Sequence, residues 1–226
     1  MNAFPAAAVD LLAELPTHPA GWTREHADRS ATELMDPLRE VVDVLGDHLR
    51  ADVSPGLVSE PTVRGSISPL TTDRRFAGAD TPAYKDHVLL RFWEGPTKQT
   101  APTLFIRLGT DGIGLASGVA LGGASRDRWR EAVAGDAGEQ VAKLLHELTA
   151  DGHEVAGDLL ARVPKPHDPD HPRAELLRRN GGLQVRKLHP LPPGEGVEPF
   201  ATACADLLQS FAELHRWFVT HVGEAA

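Results

Sequence analysis

The chain has 226 residues, a hydrophobic content of 41% and a formal net charge of −9 at pH 7, which suits a globular protein with a sizeable core. The acidic balance argues against a general affinity for nucleic acid or for anionic membranes, because both need a basic face. Cys204 is the only cysteine, so a disulfide framework and a thiolate metal cluster are excluded. The N-terminus lacks the pattern of a signal peptide, and no apolar run is long enough to span a bilayer. We therefore expect a cytoplasmic protein without a membrane partner.

The first quarter of the chain carries two helical patterns. Ala6 to Leu15 is rich in Ala and Leu and is followed by two prolines, which predicts a helix that ends there. A longer helix is predicted from Thr23 onwards, since apolar residues recur every three or four positions. Pro37 interrupts this pattern, so we expect a kink or a break between two helices.

Short apolar segments after this region predict strands. They are Val63 to Leu70, His87 to Trp93, Thr103 to Leu108, Ile113 to Leu121 and, further along the chain, Leu183 to Leu188. Consecutive strands with short turns favour an antiparallel meander. The glycines at 112, 114 and 118 lack the G-x-G-x-x-G spacing of a nucleotide loop, and we interpret them as sites of close strand packing.

The remainder of the chain is predicted to be mainly helical. Helices are expected to begin near Ser125, to cover Gly138 to Ala150 with a Gly152 cap, and to close the chain from Phe200 to Val222. The predicted fold is α+β: one domain over 1–226 with a mainly antiparallel sheet and long amphipathic helices at both termini. Its parts are an N-terminal helical part (1–53), a sheet core (about 60–122) and a C-terminal helical part (125–226).

The segment 63–88, VRGSISPLTTDRRFAGADTPAYKDHV, is the best candidate for a functional site. It combines charged residues, hydroxyl groups and glycines in one turn-rich stretch. Polar loops held by a rigid scaffold carry binding and catalytic residues more often than other segments do.

Part of this segment, TDRRFAGADTPAYK, resembles the motif R-x-x-R-D-x-R-F-x-x-x-[DN]-K-x-x-Y of the bacterial domain of unknown function family 2461. The matching residues are Asp73, Arg75, Phe76, Asp80 and Tyr84, and Lys85 continues the usual Tyr-Lys ending. Further similarities in SPGL near residue 54 and in VPKPHDPDHPRAELLRR extend the resemblance over nearly the whole chain. The resemblance implies a single α+β domain and supplies no activity.

Three cationic positions of the motif are neutral in this chain: Pro69, Thr72 and Thr81. A cluster of Arg and Lys in a turn suits a phosphate or carboxylate, because guanidinium binds such anions in bidentate fashion. Arg75, Lys85 and also Arg74 remain, so we expect a weaker anion site or one that is tuned to another ligand.

The first functional hypothesis is therefore a protein that binds a small anionic or polar molecule, either as a binding protein or as an enzyme. Arg75 and Lys85 would hold the anion and Tyr84 would donate a hydrogen bond, while Asp73 would orient Arg75. Tyr84 is also the weak candidate for a catalytic proton donor, since a neighbouring cation lowers the pKa of a phenol. No cofactor is expected.

The second hypothesis is a non-catalytic interaction or structural protein. In this interpretation Asp73 and Arg75 form an internal ion pair, and the 63–88 segment is only a structural turn. The neutral motif positions and the absence of a nucleophile signature such as G-x-S-x-G favour it.

The stretch VPKPHDPDHP is a second rigid polar turn. His167 to His171 lack the third protein ligand of a catalytic zinc site, so we expect no metal. We predict that Lys165 or His171 lies on the same face as Arg75 and contributes charge to one site. The structural alternative is that Asp170 caps the helix after Pro172.

Overall fold

The N-terminal part consists of four helices. The computed structural model describes residues 4–73, 75, 78 and 80–224. The four helices are α1 (Ala6–Glu14), α2 (Trp22–Glu25), α3 (Ala27–Ser30) and α4 (Asp36–Asp52). A 3₁₀ turn (Leu15–Thr17) follows α1, and a π-helical turn (Ala31–Met35) joins α3 to α4. The pattern is irregular near Pro37 as the sequence predicted, but the backbone stays helical from α3 through the π-helical turn into α4, so the irregularity is a π turn directly before Pro37.

The centre of the fold is a five-stranded sheet in which every neighbouring pair is antiparallel. Its strands are β1 (His87–Trp93), β2 (Thr103–Gly109), β3 (Gly112–Leu121), β4 (Glu154–Leu159) and β5 (Arg179–His189). The spatial order is β1-β2-β3-β5-β4. The α+β fold with a mainly antiparallel sheet is therefore confirmed.

Five helices lie in the second half of the described chain. They are α5 (Ala124–Ala134), α6 (Ala137–Ala150), α7 (Ala174–Leu177), α8 (Val197–Leu208) and α9 (Ala212–His221). The single closing helix predicted from Phe200 to Val222 is wrong in one respect, because a 3₁₀ turn (Gln209–Phe211) separates α8 from α9. None of the described helices is both long and apolar enough to cross a membrane.

One face of the sheet packs against helices. Leu90, Ile106 and Leu115 are paired across three strands and are completely buried. The residues next to them, such as Arg91 and Arg107, point to the other face and are partly exposed. This alternation is the period of two that an antiparallel sheet with one covered face requires.

The strands of the structure differ from the predicted strands in two respects. Val63 to Leu70 is not a strand: it makes only isolated bridges, including one from Ile67 to Leu90, because its backbone groups bond largely within the turn 60–67. Strand β4 was not predicted, since it is a mostly exposed edge strand with a register shift at Gly157. Strand β5 contains the predicted strand from Leu183 to Leu188, so β4 is the one strand that the sequence did not predict in the mainly helical C-terminal part.

Candidate functional site

A cavity of about 670 Å³ lies between the N-terminal helices and the segment that precedes β1. We call it the Tyr84 cavity. It is lined by Thr23, Ala27, Ser30, Ala31, Met35 and Arg39 from the helices and by Val63, Arg64, Pro69, Leu70, Thr71 and Tyr84 from the other side. The candidate segment 63–88 therefore forms one wall of a concave site.

The helical wall contains the π-helical turn. Pro37 cannot donate a backbone hydrogen bond to the preceding turn, and the chain widens to a π turn immediately before it. Such turns displace side chains from regular helical positions and occur often at functional sites. Ser30 is only 6% exposed, and its hydroxyl has no hydrogen-bond partner within the described part of the chain. Buried hydroxyls without a partner are uncommon in proteins.

The opposite wall contains a constrained turn at Arg64. Among the described residues, Arg64 is the only non-glycine residue with positive φ, at 72°. Residues other than Gly, Asn and Asp rarely adopt this backbone conformation. The Arg64 N–H donates to the Ile67 carbonyl (2.8 Å), and the ammonium of Lys98 donates to the carbonyls of Arg64 and Gly65. The surroundings thus hold Arg64 in this conformation.

Tyr84 joins the two walls. It is 2% exposed, and its hydroxyl oxygen accepts hydrogen bonds from the backbone N–H groups of Gly21 (3.0 Å) and Thr23 (3.3 Å). The Thr23 hydroxyl lies 3.3 Å away. Burial raises the pKa of the Tyr84 phenol, but the bonds from Thr23 and Gly21 and the charge of Arg24 outweigh burial and leave this pKa below its usual value.

Both charged residues in the described lining of the Tyr84 cavity are arginines. Its lining includes Arg39 and Arg64 and, among the residues that the structure describes, no carboxylate. Arg39 makes a 2.5 Å ion pair with Asp36, in which both side chains are about half exposed. Within the same described residues, Arg64 makes no ion pair. A cavity with two guanidinium groups and several hydroxyls suits an anionic or polar ligand.

Asp73 and Arg75 form the ion pair that the structural hypothesis predicts. The guanidinium donates to both carboxylate oxygens at 3.0 and 2.6 Å, and the Arg75 N–H donates to the same carboxylate at 3.1 Å. These bonds lower the pKa of Asp73 to about 2. The pair is exposed and does not line the Tyr84 cavity. Arg74 and Phe76 lie outside the described residues.

Lys85 supports the loop instead of lining the cavity. Its ammonium donates to the Pro69 carbonyl at 2.9 Å, and Pro69 is a lining residue. The sequence interpretation attributed the lowered pKa of Tyr84 to Lys85. The structure attributes it to the hydrogen-bond donors of α2 and to Arg24.

Lys165 and His171 lie between β4 and α7 along the chain, and their position on the same face as Arg75 stays a prediction. Lys165 lines two smaller cavities, one beside α5 and one beside α7, and neither residue lines the Tyr84 cavity. The Nδ1 atom of His171 accepts a hydrogen bond from the Arg173 N–H (3.0 Å), while the Asp168 carboxylate accepts one from the Asp170 N–H (2.9 Å). The described side chains thus stabilise this turn locally, but no side chain caps α7, so Asp170 is not its cap.

Sequence reasoning identified Tyr84 and missed most of its neighbours in the cavity. Arg39, Ser30 and Arg64 are not among the site residues predicted from the sequence. Pro37 was the one available signal, because a proline inside a helical pattern marks an irregular turn. Among the described residues, no three His, Cys, Asp or Glu side chains form a set of metal ligands.

The chain is similar to a family of known proteins. The model of the family described as conserved hypothetical protein (DUF2461) matches residues 10–217 of the 226-residue chain. No curated protein and no solved structure matches. The matched range runs from α1 to α9 and includes the whole sheet and the Tyr84 cavity. The chain therefore belongs to the DUF2461 family of conserved hypothetical proteins.

Proposed function

We propose that this protein binds a small anionic molecule in the Tyr84 cavity. The observation that carries the proposal is the charge of the lining, which has two arginines and no carboxylate among the described residues. A phosphate or carboxylate group would neutralise these charges through charge-assisted hydrogen bonds. The unpartnered hydroxyl of Ser30 is the second supporting observation.

In this proposal, Arg39 and Arg64 hold the anionic group. Ser30, Thr23 and Tyr84 offer hydroxyls to the polar remainder of the ligand. Lys85 contributes indirectly by fixing Pro69. Asp73, Arg75, Lys165 and His171 are the sequence-based candidates for a further anion contact.

Binding is the core of the proposal, and catalysis is an extension of it. Among the lining residues, Tyr84 is the group whose proton could pass to a bound substrate, and its lowered pKa favours that transfer. We further infer a bacterial, cytoplasmic protein. The single buried thiol, Cys204, is typical of chains that fold in a reducing compartment.

A thermal-shift panel with ATP, glucose 6-phosphate and citrate would test the proposal. We expect a raised melting temperature with one ligand class, since a ligand that binds only the folded state stabilises it. Titration calorimetry would then compare Arg39→Gln and Arg64→Gln with the wild type. Each variant should weaken binding of the active probe by about tenfold or more.

Three further variants sharpen the test. Arg186→Gln is the matched control, because Arg186 is an exposed, ion-paired arginine on β5, and binding should be unchanged. Ser30→Ala should weaken binding without lowering stability, since it removes a hydroxyl that bonds no described residue. Arg75→Ala tests the sequence-based expectation directly: weaker binding of the same probe would add Arg75 to the site.

The alternative function is a structural or interaction role for the 63–88 segment. The Asp73–Arg75 pair and the Lys85–Pro69 bond favour it, because both stabilise the turn without a ligand. A flat response to all three probes, or equal loss of binding in Arg64→Gln and Arg186→Gln, would contradict the ligand proposal and support this alternative.

A further inference from the structure

A second and larger cavity of about 770 Å³ lies between α6, the start of β4 and the segment that contains α7. We call it the His153 cavity. Its apolar wall comes from Ala142, Leu145, Val155 and Leu176, and its polar groups include His153 and Arg179. It shares no residue with the Tyr84 cavity. The polar groups that line it therefore need a separate explanation.

His153 presents a hydrogen-bond acceptor. It is 5% exposed, and its Nδ1 lies 3.0 Å from the Leu148 carbonyl. Because a carbonyl oxygen can only accept, Nδ1 must carry the proton, and Nε2 of the neutral ring is left with a lone pair. Burial lowers the pKa of His153, so the neutral form prevails at pH 7. Nε2 is buried and has no hydrogen-bond partner among the described residues.

The position of His153 is fixed from both sides. Gly152, with φ of 85°, ends α6 as the sequence predicted. The N–H group of Gly152 donates to the Thr149 carbonyl and that of His153 to the Leu148 carbonyl, both at 3.0 Å. This is the hydrogen-bond pattern of the Schellman motif. The His153 ring packs in a T-shaped arrangement with the Phe211 ring, with centroids 4.9 Å apart. The free Nε2 is thus part of a rigid arrangement.

Arg179 presents hydrogen-bond donors in the same cavity. It is 5% exposed, and its Nε has no partner among the described residues. Its remaining bonds are long, at 3.2 Å to the Gly157 carbonyl and 3.3 Å to the Glu175 carboxylate, whereas charge-assisted bonds usually measure about 2.7–2.9 Å. The Glu175 side chain is 69% exposed and is therefore a weak competitor for the guanidinium.

The nearby charges leave Arg179 available. Glu154 is held by Arg186 through bonds of 3.1 and 2.8 Å. Arg173 donates to the carbonyls at the end of α5, including Val133 at 2.6 Å. Because Glu154 is already paired with Arg186, the exposed Glu175 is the one remaining carboxylate in the described lining that binds Arg179.

We propose that the His153 cavity binds a small carboxylic acid with an apolar body and a hydroxyl or N–H group. The carboxylate would bind the Arg179 guanidinium, the donor would bind His153 Nε2, and the apolar body would contact Leu145 and Leu176. Two buried polar groups of opposite hydrogen-bonding character beside an apolar wall select this class of ligand, since the Nε of Arg179 and the Nε2 of His153 have no other partner among the described residues. This site is independent of the proposed anion site.

The test uses 3-phenyllactate as the probe and 3-phenylpropanoate as the matched acid without the hydroxyl. Calorimetry with the full chain should show that loss of the hydroxyl weakens binding by about tenfold. In His153→Phe the two acids should bind equally, because the acceptor is gone. Arg179→Lys should weaken both acids by about tenfold, since Lys lacks the planar donor fork. Arg64→Gln should change neither.

A second measurement protects the test against misfolded variants. Nitrogen NMR of the wild-type histidine side chains should show a change at His153 Nε2 when 3-phenyllactate is added and a smaller change with 3-phenylpropanoate. The proposal is overturned if the probe leaves this signal unchanged at its solubility limit, or if His153→Phe keeps the preference for the hydroxyl acid. Either result would show that the two groups serve the fold alone.

Discussion

At the scale of single residues, Tyr84 shows how one side chain connects regions that are distant in sequence. Its hydroxyl meets the backbone of Gly21 and Thr23, about sixty residues earlier in the chain. Opposing effects act on its phenol: burial disfavours the ionised form, while hydrogen-bond donors and Arg24 favour it. The balance decides whether Tyr84 is suited to give up a proton.

Tyr84 is the only tyrosine of the chain, so its ionisation can be followed alone by ultraviolet absorbance. We expect the native protein to titrate below the pKa of the urea-unfolded chain, because the donors outweigh burial. Thr23→Val removes one donor and should move the native pKa upwards. A native titration above that of the unfolded chain would contradict this assignment and show that burial dominates.

At the scale of elements, β3 illustrates why a glycine-rich strand need not be a nucleotide loop. All three glycines of the pattern lie in β3, and the predicted close strand packing is found at Gly112 and Gly118. A side chain at Gly112 would meet the His189 carbonyl, and one at Gly118 would lie 2.9 Å from the Leu183 carbonyl. Gly114 differs, since its nearest neighbour would be the Arg107 side chain at 3.5 Å, an ordinary contact.

This difference predicts opposite outcomes for two alanine substitutions in one strand. Gly118→Ala should lower the free energy of unfolding by about 1–3 kcal/mol, because backbone atoms of β5 cannot move away easily. Gly114→Ala should leave stability unchanged or raise it by up to about 1 kcal/mol, since it reduces the entropy of the unfolded chain. Urea denaturation measures both. Equal effects of the two changes would argue against the β3–β5 register.

At the scale of the whole molecule, Glu94 and His215 link the end of β1 to α9. They are 121 positions apart, and their side chains lie 3.3 Å from each other. His215 is completely buried, and the Glu94 side chain is 16% exposed. The hydrogen bond from His215, together with one from Ser54, keeps the pKa of Glu94 below its usual value of 4.5 against the opposing effect of burial.

This linkage predicts how stability depends on pH. Because the pKa of Glu94 is lower in the folded state, the folded protein binds fewer protons than the unfolded chain around and below pH 4.5. The stabilisation is therefore complete above that pH and is lost as the pH falls through the folded pKa. Glu94→Gln should cost about 1–3 kcal/mol at pH 7 and progressively less towards pH 3.

Urea denaturation across this pH range checks the prediction. Glu213→Gln is the control, since Glu213 is an exposed carboxylate on α9, and its effect should be small at every pH. A cost of Glu94→Gln that stays constant down to pH 3 would show that the carboxylate acts through packing and not through its charge.

The sequence by itself determined those features that depend on near neighbours along the chain. Apolar runs such as His87 to Trp93 predicted the central strands, Pro37 predicted an irregular helix, and the motif around Tyr84 predicted the family. Tertiary structure alone decided which side chains meet. Arg39 and Arg64 share a cavity only because the π-helical turn packs against the segment before β1. Periodicity and turn propensity are local, whereas convergence in a site depends on the packing of distant elements, and no local pattern encodes it.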